Sequence, residues 1–179
     1  MKKFELTSEF ITNVLGTKLF RIKALIEFGD VSAGELGGYI EKEENLAQDG
    51  DAWVYGNAKV YGNAKVCGNA KVCGNAEVCG DAEVYDNAEV CGDACVCGDA
   101  DYSTVKGFGR IFRTTTFFRK KDKDISVSCG CFYGTLEEFR KKVKETHGES
   151  KTAKEYLMLA DLMEYKFSRE MDVEEEVNQ

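Results

Sequence analysis

The 179-residue sequence contains no proline, and only one histidine and one tryptophan. Without proline, glycine and asparagine must form the tight turns of the chain. The single histidine, His147, excludes a zinc site built on three histidines. No apolar run approaches the roughly 20 residues of a membrane-spanning helix, and the N-terminus lacks the apolar core of a signal peptide. We therefore expect a soluble, cytoplasmic protein with no membrane partner.

The cysteines also lack a metal-binding pattern. Eight are present, but no two have the spacing of a Cys-x-x-Cys motif. A zinc site would need an irregular cluster built from cysteine alone. We therefore predict no metal and no cofactor, and we interpret the cysteines as reduced structural thiols.

What the sequence does contain is an internal repeat. Eight six-residue units run without interruption from Val54 to Asp101. Each unit opens with valine and carries alanine four residues later, as in the opening unit Val-Tyr-Gly-Asn-Ala-Lys. Valine favours strands, and glycine followed by asparagine or aspartate favours corners. The pattern resembles the left-handed parallel β-helix, in which three such units form one triangular turn of 18 residues.

The charges support this turn length. Lysine precedes valine in three successive units and glutamate does so in the next three, so each lysine lies 18 residues before a glutamate. In such a turn the two side chains lie on neighbouring strands about 4.8 Å apart, where opposite charges pair. The pairs are Lys59–Glu77, Lys65–Glu83 and Lys71–Glu89. The same register brings Cys73 beside Cys91 and Cys79 beside Cys97, close enough to cross-link under oxidation.

The position that directly follows valine in each unit forms an outward column of tyrosine and cysteine in this register. A semi-apolar stripe on a surface favours cover by the rest of the chain or by another subunit. We therefore expect a homo-oligomer, either a dimer or a trimer. Its predicted contact surface consists of Tyr55, Tyr61, Cys79 and Cys97.

The region before the repeat predicts a cap and a degenerate first coil. Two short strands within residues 1–33 are expected to cover the N-terminal end of the helix, since an open end would expose core and unpaired backbone. Residues 34–102 are predicted to form the left-handed β-helix, with almost four turns. In its degenerate first part, Ile40, Leu46 and Ala52 continue the alanine slot of the later units.

The region after the repeat, residues 103–169, predicts a β-β-α-α unit. Its strands are expected at Ile111–Phe118 and Ile125–Phe132. Thr135 and Glu138 have the spacing of a capping box, so a helix starts there and ends near Gly148. A second helix with an apolar face is predicted from about Lys151 to Phe167. Residues 170–179 form an acidic tail that we expect to fray.

A basic segment follows the acidic coils and is the candidate binding site. Residues 106–123 hold seven basic residues against one acidic residue, with phenylalanine and threonine between them. Arginine binds phosphate or carboxylate through paired N–H groups, and aromatic rings stack on bases. Two interpretations remain open: an anion or nucleotide site, or an amphipathic strand docked on the coils. The predicted contacts are Arg110, Arg113, Thr114, Thr115, Thr116, Arg119 and Lys120.

Left-handed β-helices are best known from acyltransferases and gamma-type carbonic anhydrases, but the residues for either chemistry are missing. The acyltransferases need a catalytic histidine, usually near a loop inserted between coils, and residues 54–101 contain neither. The anhydrases need three histidine ligands to zinc. His147, one turn after Val143 on the predicted helix, is expected to be a packed residue. We therefore predict that the protein is not an enzyme, with a hexapeptide acyltransferase as an alternative.

A closer resemblance covers most of the chain. The segments that carry it are Phe28–Leu46, Trp53–Ala58, Thr114–Arg119 and Cys129–Phe139. They resemble uncharacterised hexapeptide-repeat proteins of bacteriophages and prophages. The resemblance implies a protein that binds and inhibits a bacterial defence component in the host cytoplasm, as anti-CRISPR proteins do. The implied partner is a bacterial host protein or ribonucleoprotein; an alternative is a sponge that sequesters a small nucleotide signal through the basic segment.

Overall fold

A computed structural model describes residues 2–109 and 112–168. The chain divides into two units, Met1–Asp99 and Ala100–Gln179. The first unit consists mainly of strands and tight turns, and the second combines a sheet with two helices. Among the described residues, no helix is both long and apolar enough to cross a membrane.

The first unit begins with a hairpin that leads into the repeats. β1 (Phe4–Thr12) and β2 (Lys18–Ala24) pair antiparallel, and β3 (Leu36–Ile40) pairs antiparallel with β2. The two short strands predicted near the N-terminus are therefore confirmed. All three strands belong to the same sheet as one face of the repeats, so the hairpin extends that face.

Eight two-residue strands follow at six-residue intervals, and each ends on valine. They are β4 (Trp53–Val54), β5 (Lys59–Val60), β6 (Lys65–Val66), β7 (Lys71–Val72), β8 (Glu77–Val78), β9 (Glu83–Val84), β10 (Glu89–Val90) and β11 (Cys95–Val96). They stack in parallel as three ladders, β3-β5-β8-β11, β4-β7-β10 and β6-β9. Lys59 pairs with Glu77 and Lys65 with Glu83, so the predicted 18-residue register is confirmed. The predicted fold class is confirmed as well: stacked parallel coils form a β-solenoid, followed by a unit with two helices.

Valine and alanine fill the interior of the solenoid. The valines from Val54 to Val96 that open the units are all fully buried. The corners need glycine for a second reason besides backbone angle. Gly74 has a φ of 71°, and a Cβ there would lie 2.8 Å from the amide nitrogen of Gly92 in the next coil. The coils therefore stack closely because this corner carries no side chain.

The first coil departs from the prediction. Ile40 pairs with Val60, and Leu46 lies in the same slot of the next strand. The prediction that Ile40 and Leu46 continue the alanine slot is therefore wrong, because both lie in the valine column. Ala52 does occupy the alanine slot. Two extra residues between Leu46 and Ala52 cause the shift, and the solenoid has about three turns rather than the predicted almost four.

A buried lysine holds this insertion in place. Lys3 is 1% exposed, and its ammonium group donates hydrogen bonds to the carbonyl oxygens of Asp49, Gly50 and Ala52 at 3.0–3.3 Å. It also lies 4.9 Å from the centre of the Phe28 ring. Burial lowers the pKa of Lys3 to about 8, although the Asp49 carboxylate opposes the shift. An apolar side chain here would leave the carbonyl groups of the inserted turn without their donor.

Opposite charges meet along the ladders as the register requires. Lys59 Nζ lies 3.0 Å from Glu77, and Lys65 Nζ lies 3.6 Å from Glu83. Lys71 is the strand neighbour of Glu89, as predicted, and its Nζ lies 2.8 Å from the carboxylate of Asp30 in the turn that precedes β3. Since these pairs are partly exposed, they contribute more to register than to the free energy of unfolding.

Two disulfides join adjacent coils. They link Cys73 to Cys91 and Cys79 to Cys97. The predicted proximity is confirmed, and the expectation that these four thiols are reduced is wrong for this structure. The parallel register is the reason, because it sets the Cα atoms of each pair 4.4–4.6 Å apart, within the range of a disulfide.

The second unit is a four-stranded antiparallel sheet with two helices. Its elements are β12 (Tyr102–Phe108), β13 (Arg113–Arg119), β14 (Ile125–Cys129), β15 (Phe132–Thr135), α1 (Leu136–His147) and α2 (Lys151–Ser168). The strands lie in the order of the chain. The predicted β-β-α-α order named β13, β14 and both helices but missed β12 and β15. The second predicted strand ends at Cys129 because a turn at Gly130 and Cys131 starts β15 instead.

The helix ends follow the predicted caps. The Thr135 side chain accepts a hydrogen bond from the Glu138 amide, and the Glu138 carboxylate accepts one from the Thr135 amide, which completes the capping box. The amide of Gly148 donates to the Lys144 carbonyl and ends α1. Both helices pack on one sheet face around Phe117. The predicted acidic tail lies outside the described residues.

Candidate anion-binding cavity

Alternation along β13 decides which side chains reach the helices. The Phe117 ring lies 6.0 Å from that of Phe139 on α1, so its face of the sheet is the one that the helices cover. Arg113, Thr115 and Arg119 share this face with Phe117, as the two-residue period of a strand requires. The two arginines therefore lie at opposite ends of the helix-covered face.

A cavity of about 380 Å³ opens beside Arg113. This volume lies within the range of sites that bind small molecules. Phe132, Phe139 and Val143 form much of its wall. No carboxylate of the described residues lines it. Its polar lining includes Arg113, Cys129, Cys131, Lys142, Thr146 and His147.

The turn between β14 and β15 leaves room for the Arg113 side chain. Gly130 has a φ of 64°, and a Cβ at this position would collide with the Arg113 guanidinium. A two-residue hairpin turn with glycine first meets both needs at once. Among residues 2–109 and 112–168, no carboxylate forms an ion pair with the exposed Arg113 side chain. Its guanidinium is therefore available to an anion.

Tyr156 contributes a buried ring to the cavity wall. The ring stacks on His147 with centroids 6.0 Å apart and stands edge-on to Phe139 at 5.7 Å. Burial raises the pKa of Tyr156 to about 12, and the neighbouring Cys129 adds to the rise. Thr115 in turn donates to Cys129 Sγ at 3.2 Å. Tyr156 thus remains a neutral phenol near pH 7.

The structure places most of the other predicted contact residues elsewhere. At the far end of β13, Arg119 donates to the Phe167 carbonyl at 2.6 Å and lies 3.4 Å from Asp101. The first of these contacts holds the last turn of α2, whose carbonyl groups carry partial negative charge. Lys120 lies 3.0 Å from Asp122 in the following turn.

The threonines of the predicted set belong to the sheet rather than to an open surface. Thr115 and Thr116 are buried and Thr114 is half-buried. Arg110 lies outside the described residues. Of the predicted contact residues that the structure describes, Arg113 alone lines the cavity.

Several cavity residues do not stand out in the sequence. The helical spacing of Phe139, Val143 and His147 was a usable signal, since residues next to this stripe, such as Lys142, border the same space. No such signal pointed to Cys131, because its position depends on a hairpin whose second strand was not predicted. Proximity of the α1 stripe to this turn arises only in the folded sheet.

The residues of the predicted oligomer surface form hydrogen bonds or a disulfide within the chain. Tyr55 donates its hydroxyl hydrogen to Asp30 at 2.8 Å. Burial, and to a smaller extent this hydrogen bond, raises the pKa of Tyr55. Tyr61 donates to Glu77 at 3.4 Å. The other two predicted residues form one of the two disulfides. The homo-oligomer remains a prediction.

Comparison with known proteins gives one informative similarity. No family model matches the chain. The chain is 42% identical over 62 residues to the uncharacterized acetyltransferase YdcK of Escherichia coli (strain K12). The match covers 31% of this chain and only 19% of YdcK. It agrees with a hexapeptide-repeat β-helix and points toward an enzyme without deciding the matter, and it does not test the resemblance to phage proteins.

Proposed function

We propose that this protein is a non-enzymatic binding protein whose C-terminal unit captures a small anionic ligand with a planar ring, a nucleotide being the class that fits best. The observation that carries the proposal is the composition of the cavity. Arg113, Lys142 and His147 line it without a carboxylate from the described residues. Guanidinium binds phosphate through paired N–H groups, and the rings of Phe132 and Tyr156 provide surfaces for a base.

The wider role follows from the resemblance to phage proteins. Inhibition of a bacterial defence component is the role that this resemblance suggests, acting on a host protein or ribonucleoprotein. Capture of a nucleotide signal is the form of inhibition that the cavity favours, because its volume suits a small molecule rather than a protein surface.

Calorimetric titration with nucleotides tests the proposal. Replacing Arg113 by Gln removes one charged hydrogen-bond donor, so we expect affinity to fall about 10- to 100-fold. Lys120→Gln is the matched control, since it removes the same charge from a residue paired with Asp122 and should leave affinity unchanged. Affinity should also fall as salt rises, because the contacts are ionic and partly exposed. Equal binding by both variants, or no nucleotide bound at millimolar concentration, would show the proposal to be wrong.

An acetyltransferase is the second candidate. The similarity to YdcK favours it, and so does the position of His147 in the cavity wall. An assay that follows loss of the acetyl group from acetyl-coenzyme A separates the two functions. We expect no turnover above background in the wild-type protein. Turnover that disappears in a folded His147→Ala variant would replace the binding function by the enzymatic one.

A further inference from the structure

We propose that Cys131 is a modification site at which the cavity directs thiol–disulfide exchange with small anionic disulfides. The inference rests on the proposed function, because the cations that would hold an anionic ligand are the same ones that would recruit the disulfide. It adds a regulatory reaction to that site. The product would place an anionic group inside the cavity and prevent the ligand from binding.

The geometry around Cys131 carries the proposal. Cys131 is exposed, lies outside both disulfides and follows Gly130 in the turn that borders the cavity. Arg113 lies against that turn, and Lys142 of α1, whose Nζ lies 3.9 Å from Glu145 on the same helix, lines the same space. A negatively charged disulfide would therefore be concentrated beside this thiol by two cations.

A second thiol in the same chain has the opposite surroundings. Cys67, in the solenoid, is half-buried and also lies outside both disulfides. Burial, followed by the carboxylates of Glu83, Asp49 and Asp86, raises the pKa of Cys67. Three carboxylates outnumber the one cation, Lys65, around Cys67, so we expect an anionic reagent to be repelled here and attracted at Cys131. The chain therefore contains its own reference site.

The exchange reaction is balanced without any further oxidant. The thiol proton of Cys131 passes to solvent, and the thiolate attacks one sulfur of the disulfide. The S–S bond of the reagent breaks as the mixed disulfide forms on Cys131. The second sulfur leaves as a thiolate with the bonding electron pair and is protonated according to its own pKa. An added thiol reverses the modification.

The test compares two aromatic disulfides of different charge: the dianion dithiobis(nitrobenzoate) and the uncharged dithiodipyridine. Fragment-ion mass spectrometry measures initial labelling at Cys131 and Cys67 in the same sample. The ratio of labelling at Cys131 to Cys67 should be about tenfold higher for the dianion than for the uncharged reagent. This comparison cancels the intrinsic reactivity of each reagent and the exposure of each thiol.

Removal of the cations should abolish the preference. We expect the two reagents to give equal ratios in the Arg113→Gln/Lys142→Gln variant, whereas Lys142→Arg retains the difference. High salt should also remove it from the wild-type protein, which provides a test that does not depend on variant folding. Equal ratios in the wild type, or a preference that persists without both cations, would overturn the proposal.

Ligand binding separates this inference from the proposed function. If Cys131→Ser binds nucleotide like the wild type while the wild type shows no reagent preference, the modification site is wrong and the binding function stands. If the preference is present but nucleotides do not bind, the reverse holds. If both are correct, bound nucleotide protects Cys131 from the dianion, and labelled protein no longer binds nucleotide.

Discussion

The solenoid and the C-terminal unit obtain their stability from sequence in different ways. In the hexapeptide coils the buried valines meet valines of the next coil, since Val60 stacks on Val78 and Val78 stacks on Val96. In the C-terminal unit Phe117 meets Phe139, a residue that no periodicity relates to it. A repeat therefore reveals its neighbours in the sequence, whereas the core of the second unit depends on topology.

The two regions also differ in how their polar groups are used. Side chains at the solenoid corners bond to their equivalents one coil away, as Asn63 does to Asp81 at 3.0 Å. In the C-terminal unit, Arg113 lies beside a cavity with no carboxylate partner among the described residues. Polar groups that are satisfied by repetition have little capacity left for a ligand, so the candidate site lies where the repetition has ended.

The largest expected effect concerns the non-repeating core. Phe117→Ala should lower the free energy of unfolding of the C-terminal unit by about 3–5 kcal/mol, because it leaves a cavity between sheet and helices. Phe112→Ala is the matched control, since Phe112 is 67% exposed and its loss should cost less than about 0.5 kcal/mol. Urea unfolding followed by the helical circular dichroism signal measures both. Similar losses for the two variants would mean that the core is not centred on Phe117.

The next effect tests the non-repeating turn of the solenoid. The pKa of Lys3 is about 8 in the folded protein against an ordinary value of 10.5, so between these pH values the unfolded chain binds a proton that the folded chain has released. Stability from this group must therefore rise with pH across that window. The stability of the wild type relative to Lys3→Met should increase by about 2–3 kcal/mol between pH 7 and pH 10.

The difference between wild type and variant cancels the titration of other groups. Urea unfolding at several pH values supplies the measurement. A difference that does not change with pH would mean that the three carbonyl oxygens around Lys3 keep it protonated despite its burial.

The fold was predictable where the sequence repeats. Lysine and glutamate at 18-residue spacing identify both the turn length and the strand neighbours, and the structure agrees. The first coil was predicted wrongly because the apolar residues Ile40 and Leu46 fit either the valine or the alanine position of the repeat. The two-residue insertion after them therefore leaves no trace in the hydrophobic pattern. β12 and β15 were missed because glycine interrupts the first and the second is only four residues long.

The candidate site was predictable only through charge. Arg113 stands out as a basic residue among aromatic ones, but so does Arg119, which instead binds the end of α2. Nothing local distinguishes the two, because their roles depend on which end of a helix lies over each end of β13. Cys131 and Tyr156 both line the cavity. Their proximity depends on the β14–β15 hairpin and on the packing of α2, which the spacing of residues in the sequence does not reveal.

A third effect separates backbone strain from coil stacking. Gly74→Ala and Gly56→Ala both place a side chain at a positive φ, which costs about 1–2 kcal/mol. The Cβ at Gly74 would also meet the backbone of the next coil, whereas that at Gly56 meets nothing within 4 Å. We expect Gly74→Ala to lower the free energy of unfolding by a further ~1–3 kcal/mol, measured by thermal and urea unfolding. Equal costs would mean that the coils separate readily at their corners.

The smallest effect tests whether the charge ladder helps to set the register. The pair Lys59–Glu77 is 3.0 Å apart with side chains 29% and 19% exposed, whereas Lys65–Glu83 is 3.6 Å apart with side chains 60% and 53% exposed. Because water screens exposed charges, double-mutant cycles with Gln should give a coupling of about 0.5–1 kcal/mol for the first pair and below about 0.3 kcal/mol for the second. Exchanging the charges, with Lys65→Glu and Glu83→Lys together, should recover part of the loss caused by Lys65→Glu alone.

Equal coupling energies at both pairs would show that exposure does not control them. Zero coupling at both would assign the register to the valine and alanine columns, since a shift of one residue would bring every buried valine to the surface.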